Sequence, residues 1–229
     1  MIRLSPRLRM AAELVRDGVP AADIGTDHAY LSVYLVACGK CPRAIASDVR
    51  EGPLRNAAET LDAFGLHDKI ELRLSDGLDG FSKDDADDFV FAGMGGTLIA
   101  ELLDRTPWIR DSSKRFIFQP MSRAEIIRAF LVKNRFRIIK EDACFDGCRP
   151  YIALSAQYDP SCPGEFPESY IYMGELPKVK NEAAVYWLTK QYLALKKRAE
   201  ALECANLLLE EAAQIRSVLP DFEPYIKLR

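Results

Sequence analysis

The order of its apolar segments constrains this chain more than any other feature: from residue 19 to 158, short apolar runs alternate with helical periodicity. The runs are Val19–Ile24, Ala44–Ser47, Ile70–Leu74, Asp88–Ala92, Lys114–Phe118, Phe136–Glu141 and Pro150–Tyr158. A helix over residues 6–16 precedes them, and Tyr30–Val36, Gly52–Phe64 and Thr97–Leu103 carry apolar residues at helical spacing. A further helix reaching Lys133 has Ser122 or a neighbour as its cap. Strands alternating with helices predict an α/β fold with a mostly parallel, doubly wound, Rossmann-like sheet. The last two runs, joined through Gly147, add one antiparallel strand.

Residues 159–174 change character, with Pro160, Pro163, Gly164 and Pro167, and read as a linker between a domain over 1–158 and a helical segment over 175–229. From Val179 to Pro220 there is no Gly or Pro, while Leu188, Tyr192, Leu195, Ala199, Leu202, Leu209 and Ala213 recur at three- and four-residue steps. The pattern fits one unbroken helix, or a coiled-coil-like hairpin folding back around Cys204–Asn206. Such a segment can serve as an RNA-contacting arm, a self-association surface or a packed appendage.

The net charge of −3 gives no global positive field, so an RNA partner would need a local basic patch. Arg3, Arg7 and Arg9, then Arg50 and Arg55, then Lys196, Lys197 and Arg198 are the candidates, and each group also reads as an ordinary solvated face. Six cysteines with only two histidines and no second close Cys pair after Cys38–Cys41 read as free thiols, so no metal is expected. No apolar run is long enough to span a membrane and no export signal is evident, which points to a cytoplasmic protein.

The chemistry concentrates where the strands end. Asp23-Ile-Gly-Thr-Asp-His-Ala-Tyr-Leu31 follows the first strand, where doubly wound sheets hold their ligands. A dinucleotide would need G-x-G-x-x-G around its pyrophosphate; here Asp23 and Asp27 flank Gly25 and would repel it. S-adenosylmethionine, with an ammonium and a sulfonium and no phosphate, suits those carboxylates. Asp48 ends the second strand, where a carboxylate can accept ribose hydroxyls, and Asp76-Gly77 follows the third, beside an adenine. Taken singly, each Asp also reads as a cap or turn residue.

Gly93-Met94-Gly95-Gly96 lets backbone approach cofactor or base closely, with Met94 against it, or tightens the connection to the next helix. Gln119-Pro120 ends the fifth strand on the same side, as a base contact or a structural turn. His28 can take a proton or orient a base, or cap the helix that follows; His67 reads as surface. No G-x-S-x-G nucleophile elbow is present, which argues against a hydrolase.

The Asp23–Leu31 motif, Asp76-Gly77, Ala92-Gly-Met-Gly-Gly96, Gln119-Pro120, the preceding Leu4-Ser-Pro-Arg-Leu8 and the helical tail together resemble the bacterial tRNA (adenine(22)-N1)-methyltransferases over nearly the whole chain. The resemblance implies methyl transfer from S-adenosylmethionine to N1 of adenine 22 in tRNA, by a class I methyltransferase domain followed by a helical domain that helps hold tRNA. It places Gly25, Asp27, Asp48, Asp76 and Gly93 around the cofactor. Asp48 stands where the family often has Glu, and Met121 where it often has Asn.

With that chemistry, Asp23, Gly77 and Met94 join the cofactor set; Tyr30, Gly95, Gln119, Arg7 and Arg9 are the substrate candidates; Asp27 and His28 are the catalytic ones. The sulfonium methyl is already electrophilic and N1 has a lone pair, so the main task is alignment and exclusion of water. Carboxylate density such as Asp27 would favour the cationic product. The missing N-P-P-Y loop of exocyclic-amine methyltransferases fits a ring-nitrogen target.

Overall fold

The computed structural model describes residues 2–227; Met1 and Leu228–Arg229, the outer ends of the two expected segments, lie outside the described residues. One seven-stranded sheet is built from β1 (Ala21–Ile24), β2 (Ala44–Asp48), β3 (Ile70–Leu74), β4 (Asp88–Gly95), β5 (Arg115–Ser122), β6 (Phe136–Asp146) and β7 (Arg149–Tyr158). Their order across the sheet is β3-β2-β1-β4-β5-β7-β6. The first five are parallel, and β7 inserts antiparallel between β5 and β6. The order reverses between β1 and β4, so a crevice opens beyond their carboxyl ends.

Helices cover both faces because the central strands alternate. In β4, Phe89 and Phe91 point into a core shared with α4 (Gly96–Asp104) and α5 (Ala124–Lys133). Val90 between them points to the opposite face, under α1 (Pro6–Leu14) and α2 (Tyr30–Ala37). α3 (Glu51–Phe64) completes that second face through Ala57 and Leu61.

Several boundaries differ from the sequence expectation for identifiable reasons. β1 begins at Ala21, not Val19. Pro20 has no N–H to give, and its carbonyl instead accepts the N–H groups of Asp87 and Asp88 at 3.0 and 3.2 Å. β4 does not stop at Ala92 but runs through the glycines. At Gly93 φ is +80° and the ladder shifts register, so that Met94 opposes Pro120 and Gly95 opposes Ser122. Ser122 therefore ends β5 and does not cap α5; Arg123 occupies that cap position, and its side chain makes no capping bond.

The segment read as a linker contains α6 (Glu168–Met173), and the chain beyond it turns back on itself. α7 (Glu182–Cys204) and α8 (Leu209–Val218) form a hairpin whose turn holds Asn206 and Leu208 at φ of 52° and 44°. Two left-handed residues make this turn without Gly or Pro, which is why no breaker marked it. Ala184, Leu188 and Tyr192 of α7 share one core with Phe89, so the hairpin packs onto the sheet.

Candidate active site

The turn after β1 is shaped by backbone needs that only certain residues meet. Gly25 has φ of +78°, and a Cβ there would stand 3.1 Å from Met94 Sδ. The turn thus rests directly on the end of β4. Thr26 Oγ1 accepts the N–H of Ala29 at 3.0 Å, and Ala29, at φ of 54°, starts α2. That bond makes the local cap, and His28 does not: its side chain makes no capping bond. The His28 ring instead stacks on Tyr30 at 4.9 Å with an interplanar angle of 8°, its Nε2 3.5 Å from Asp27 Oδ2.

These residues line a cavity of about 320 Å³. Seven of the residues singled out in the sequence meet there: Arg7, Asp23, Gly25, Asp27, His28, Tyr30 and Gly93. Asp23 is buried in its wall, and Ser32 Oγ donates to it at 3.4 Å. Desolvation raises its carboxyl pKa to about 6, against the lowering effect of Thr26 and Ser32. Asp27 is exposed at the mouth.

The other candidates stand around this cavity and do not line it. Met94 lies beneath Gly25. Asp48, buried at the end of β2, accepts the Arg50 N–H through Oδ1 at 2.9 Å. Asp76 Oδ1 is 2.8 Å from Arg105 Nη2, and Gly77, at φ of +58°, packs closely on Leu102. Gly95 is the residue before α4, against Ser122. Arg9 pairs with Glu13 at 3.2 Å on the exposed side of α1.

Gln119 is fully buried and reaches the cavity only through Arg7, whose Nη1 donates to Gln119 Oε1 at 2.8 Å. Arg7 Nε is also 3.8 Å from Asp146 Oδ2 on β6. Asp146 escaped the sequence reading because Asp146-Gly147 reads only as the turn of a hairpin; the other strand of that hairpin carries the chain back beside β5. Thr26 and Leu8, also in the lining, were masked by ordinary turn and helix roles.

The donor set suits a cationic ligand: two carboxylates, no run of backbone N–H groups from a triple-glycine turn, and a Gly25 whose missing Cβ leaves the turn tight against Met94. Among the described residues, no group of three or more His, Cys, Asp or Glu is placed to hold a metal, and no helix is long and apolar enough to cross a membrane. The six cysteines form no disulfide.

A parallel sheet with an inserted antiparallel β7, and an acid-lined crevice at its switch point, define a class I S-adenosylmethionine-dependent methyltransferase. Residues 4–154 match the model of the methyltransferase domain family. Over 156 residues the chain is 38% identical to the tRNA (adenine(22)-N(1))-methyltransferase of Bacillus subtilis, covering 68% of this chain and 66% of that protein, just under two thirds of its length. The crystal structure of the B. subtilis tRNA methyltransferase superposes with a TM-score of 0.81, at 28% identity, over 97% of both chains. A Streptococcus pneumoniae relative, solved in complex with S-adenosyl-L-methionine, superposes with a TM-score of 0.80 at 32% identity, over 95% of this chain and 100% of that one. The chain belongs to the bacterial tRNA (adenine(22)-N1)-methyltransferase family.

Proposed function

We propose that this protein transfers the methyl group of S-adenosylmethionine to N1 of adenine 22 in tRNA, in the cytoplasm. The observation that carries the proposal is the cavity joining the Asp23–Tyr30 turn to Gly93 at the switch point of the sheet. S-adenosylmethionine supplies an electrophilic methyl group on a sulfonium. Asp23, Gly25, Asp27 and Gly93 would hold it from the cavity wall, Met94 from beneath Gly25, and Asp48, Asp76 and Gly77 from the neighbouring strand ends.

The adenine N1 lone pair is the nucleophile, so no protein base is needed to create it. The residues align the base and exclude water, which is where most of the acceleration arises. Tyr30 and His28, already stacked, offer a flat surface at the cavity mouth for the adenine. Asp27 beside them favours the positive charge that grows on the ring. Arg7, braced by Gln119 and Asp146, would fix the cavity wall near Gly93, with Gly95 beyond it toward Ser122. N1 lies on the Watson–Crick edge, so a paired target would have to be exposed or flipped before reaction.

Arg9, exposed on the outer side of α1, would meet a backbone phosphate and not the base. Self-association would run through the C-terminal hairpin, whose tip exposes Leu207, Leu208 and Leu209; sedimentation of the wild type and of a Leu208→Ser variant tests it. For the reaction itself, labelled S-adenosylmethionine is incubated with total unmodified bacterial tRNA and the product nucleotide mapped. Label in N1-methyladenine at position 22 supports the proposal; cofactor binding with no transfer to tRNA refutes it.

A further inference from the structure

A second hollow, of about 460 Å³, lies between the end of β5, the start of β7 and the middle of α7. Its walls bring together residues more than sixty positions apart, among them Arg123, Glu125, Arg149, Tyr151, Trp187 and Lys190. None of the three cations belongs to a basic run in the sequence. Glu125 is the one acid in the lining, and Arg123 Nε lies 2.8 Å from its carboxylate. Arg149 and Lys190 are exposed and form no ion pair among the described residues. In a chain of net charge −3, two unmatched cations in one hollow make a local positive site.

Its position ties it to the cavity under β1 and β4. The floor includes Pro120 and Ser122, which pair with Met94 and Gly95. Met94 and Gly95 follow Gly93 of the first cavity's wall, so the pairing of β4 with β5 connects the two hollows. The backbone adds an independent observation. Arg123 is held at φ of 57° and ψ of 42°, a left-handed conformation that Gly adopts freely and Arg does not. Gly96, without a Cβ, packs directly against the Arg123 carbonyl and holds the conformation in place. A strained position that keeps a long cationic side chain at the rim of a hollow is one where that side chain has a use.

We propose that this hollow binds a nucleotide flanking the methylated adenine. Arg123, Arg149 and Lys190 contact its phosphate, and Tyr151 and Trp187 flank its base or sugar. The inference rests on the reading of RNA as substrate. It adds a subsite formed jointly by the sheet and the C-terminal hairpin, which sets how the RNA strand runs away from the target.

The test uses the full chain with three variants: Arg123→Gly, Arg149→Gln combined with Lys190→Gln, and Lys83→Gln as a control in the loop before β4. Methyl transfer to an unmodified tRNA transcript is measured as KM and kcat, with S-adenosylmethionine affinity and thermal melting alongside. We expect KM for tRNA to rise at least tenfold in the double variant and severalfold in Arg123→Gly, with cofactor affinity unchanged. The slope of log affinity against log salt should drop by about one for each lost phosphate contact. Arg123→Gly should melt at or above the wild-type temperature, because Gly relieves the left-handed strain, so its loss of tRNA affinity could not be blamed on unfolding. Wild-type KM and salt slope in these variants, with an active wild type, would overturn the subsite alone. A wild type that transfers nothing to tRNA would overturn the RNA reading and the subsite with it.

Discussion

Met94 Sδ lies 3.1 Å from the point where a Cβ on Gly25 would stand, so the turn after β1 and the end of β4 are fitted closely enough that a methyl group there would push the Met94 side chain aside. Gly25 also has φ of +78°, which any other L-residue adopts at a cost of about 1–2 kcal/mol. Gly25→Ala should therefore lower unfolding free energy by about that amount and displace the turn from Met94. Titration calorimetry with S-adenosylmethionine should show affinity falling tenfold or more, while circular dichroism keeps the wild-type spectrum.

Asp23 gives the site a pH signature. Burial raises its carboxyl from 3.8 to about 6, so the folded protein holds this proton more tightly than the unfolded chain does. Its contribution to stability is fully present below about pH 4 and is lost as pH rises through 6. A cationic ligand needs the carboxylate, so binding must expel that proton below pH 6. Cofactor affinity should accordingly fall by up to about tenfold per pH unit below 6 and level off above it. Calorimetry across pH 5 to 7.5 should show this slope in the wild type and lose it in Asp23→Asn.

The bond from Arg7 Nη1 to Gln119 Oε1, at 2.8 Å, ties the first helix to the fully buried end of β5. Arg7→Met leaves that amide oxygen without its donor, at a cost of about 1–3 kcal/mol. Transfer rate should fall at least tenfold at saturating tRNA, because the wall near Gly93 loses its brace. A double-mutant cycle with Gln119→Leu should return a coupling energy of about 1 kcal/mol in urea unfolding.

A buried charge pair inside the sheet domain also carries contacts to the segments beyond it. Arg128 of α5 donates to Glu141 Oε1 from Nη2 at 2.6 Å, and from Nη1 to the Tyr172 carbonyl at 2.9 Å. Its guanidinium also lies 5.2 Å from the ring centroid of Trp187 on α7. Both side chains of the pair are out of solvent, so Arg128→Met strands the Glu141 carboxylate. Unfolding free energy should drop by about 3–5 kcal/mol, and much of it should return in Arg128→Met with Glu141→Leu.

The sheet and its first five strands were legible as short continuous apolar runs, Phe89-Val90-Phe91 among them, separated by helical periodicity and turn residues. Gly25, Asp27 and His28 were legible as candidates because they lie within four residues of one turn. The extension of β4 past Ala92 was hidden, since the run of glycines in 93–96 reads as the end of a strand until β5 is seen to pair across the bulge. The turn between α7 and α8 was hidden because left-handed Asn206 and Leu208 replace the usual Gly. Asp146 beside Arg7 and the Arg128–Glu141 pair depend on contacts between distant segments, and no local pattern announces such contacts. Likewise, Asp48 and Asp76 both follow strands in the sequence, yet one is buried at its strand end and the other pairs with Arg105.

The central claim is methylation at one ring nitrogen of one nucleotide. The most direct measurement compares methyl transfer to an unmodified tRNA transcript with transfer to the same transcript in which adenine 22 is replaced by guanine, with cofactor binding measured in parallel. The account predicts one methyl group per wild-type transcript, recovered as N1-methyladenine, and none on the altered one. Equal transfer to both transcripts, or none to either despite bound S-adenosylmethionine, would contradict it.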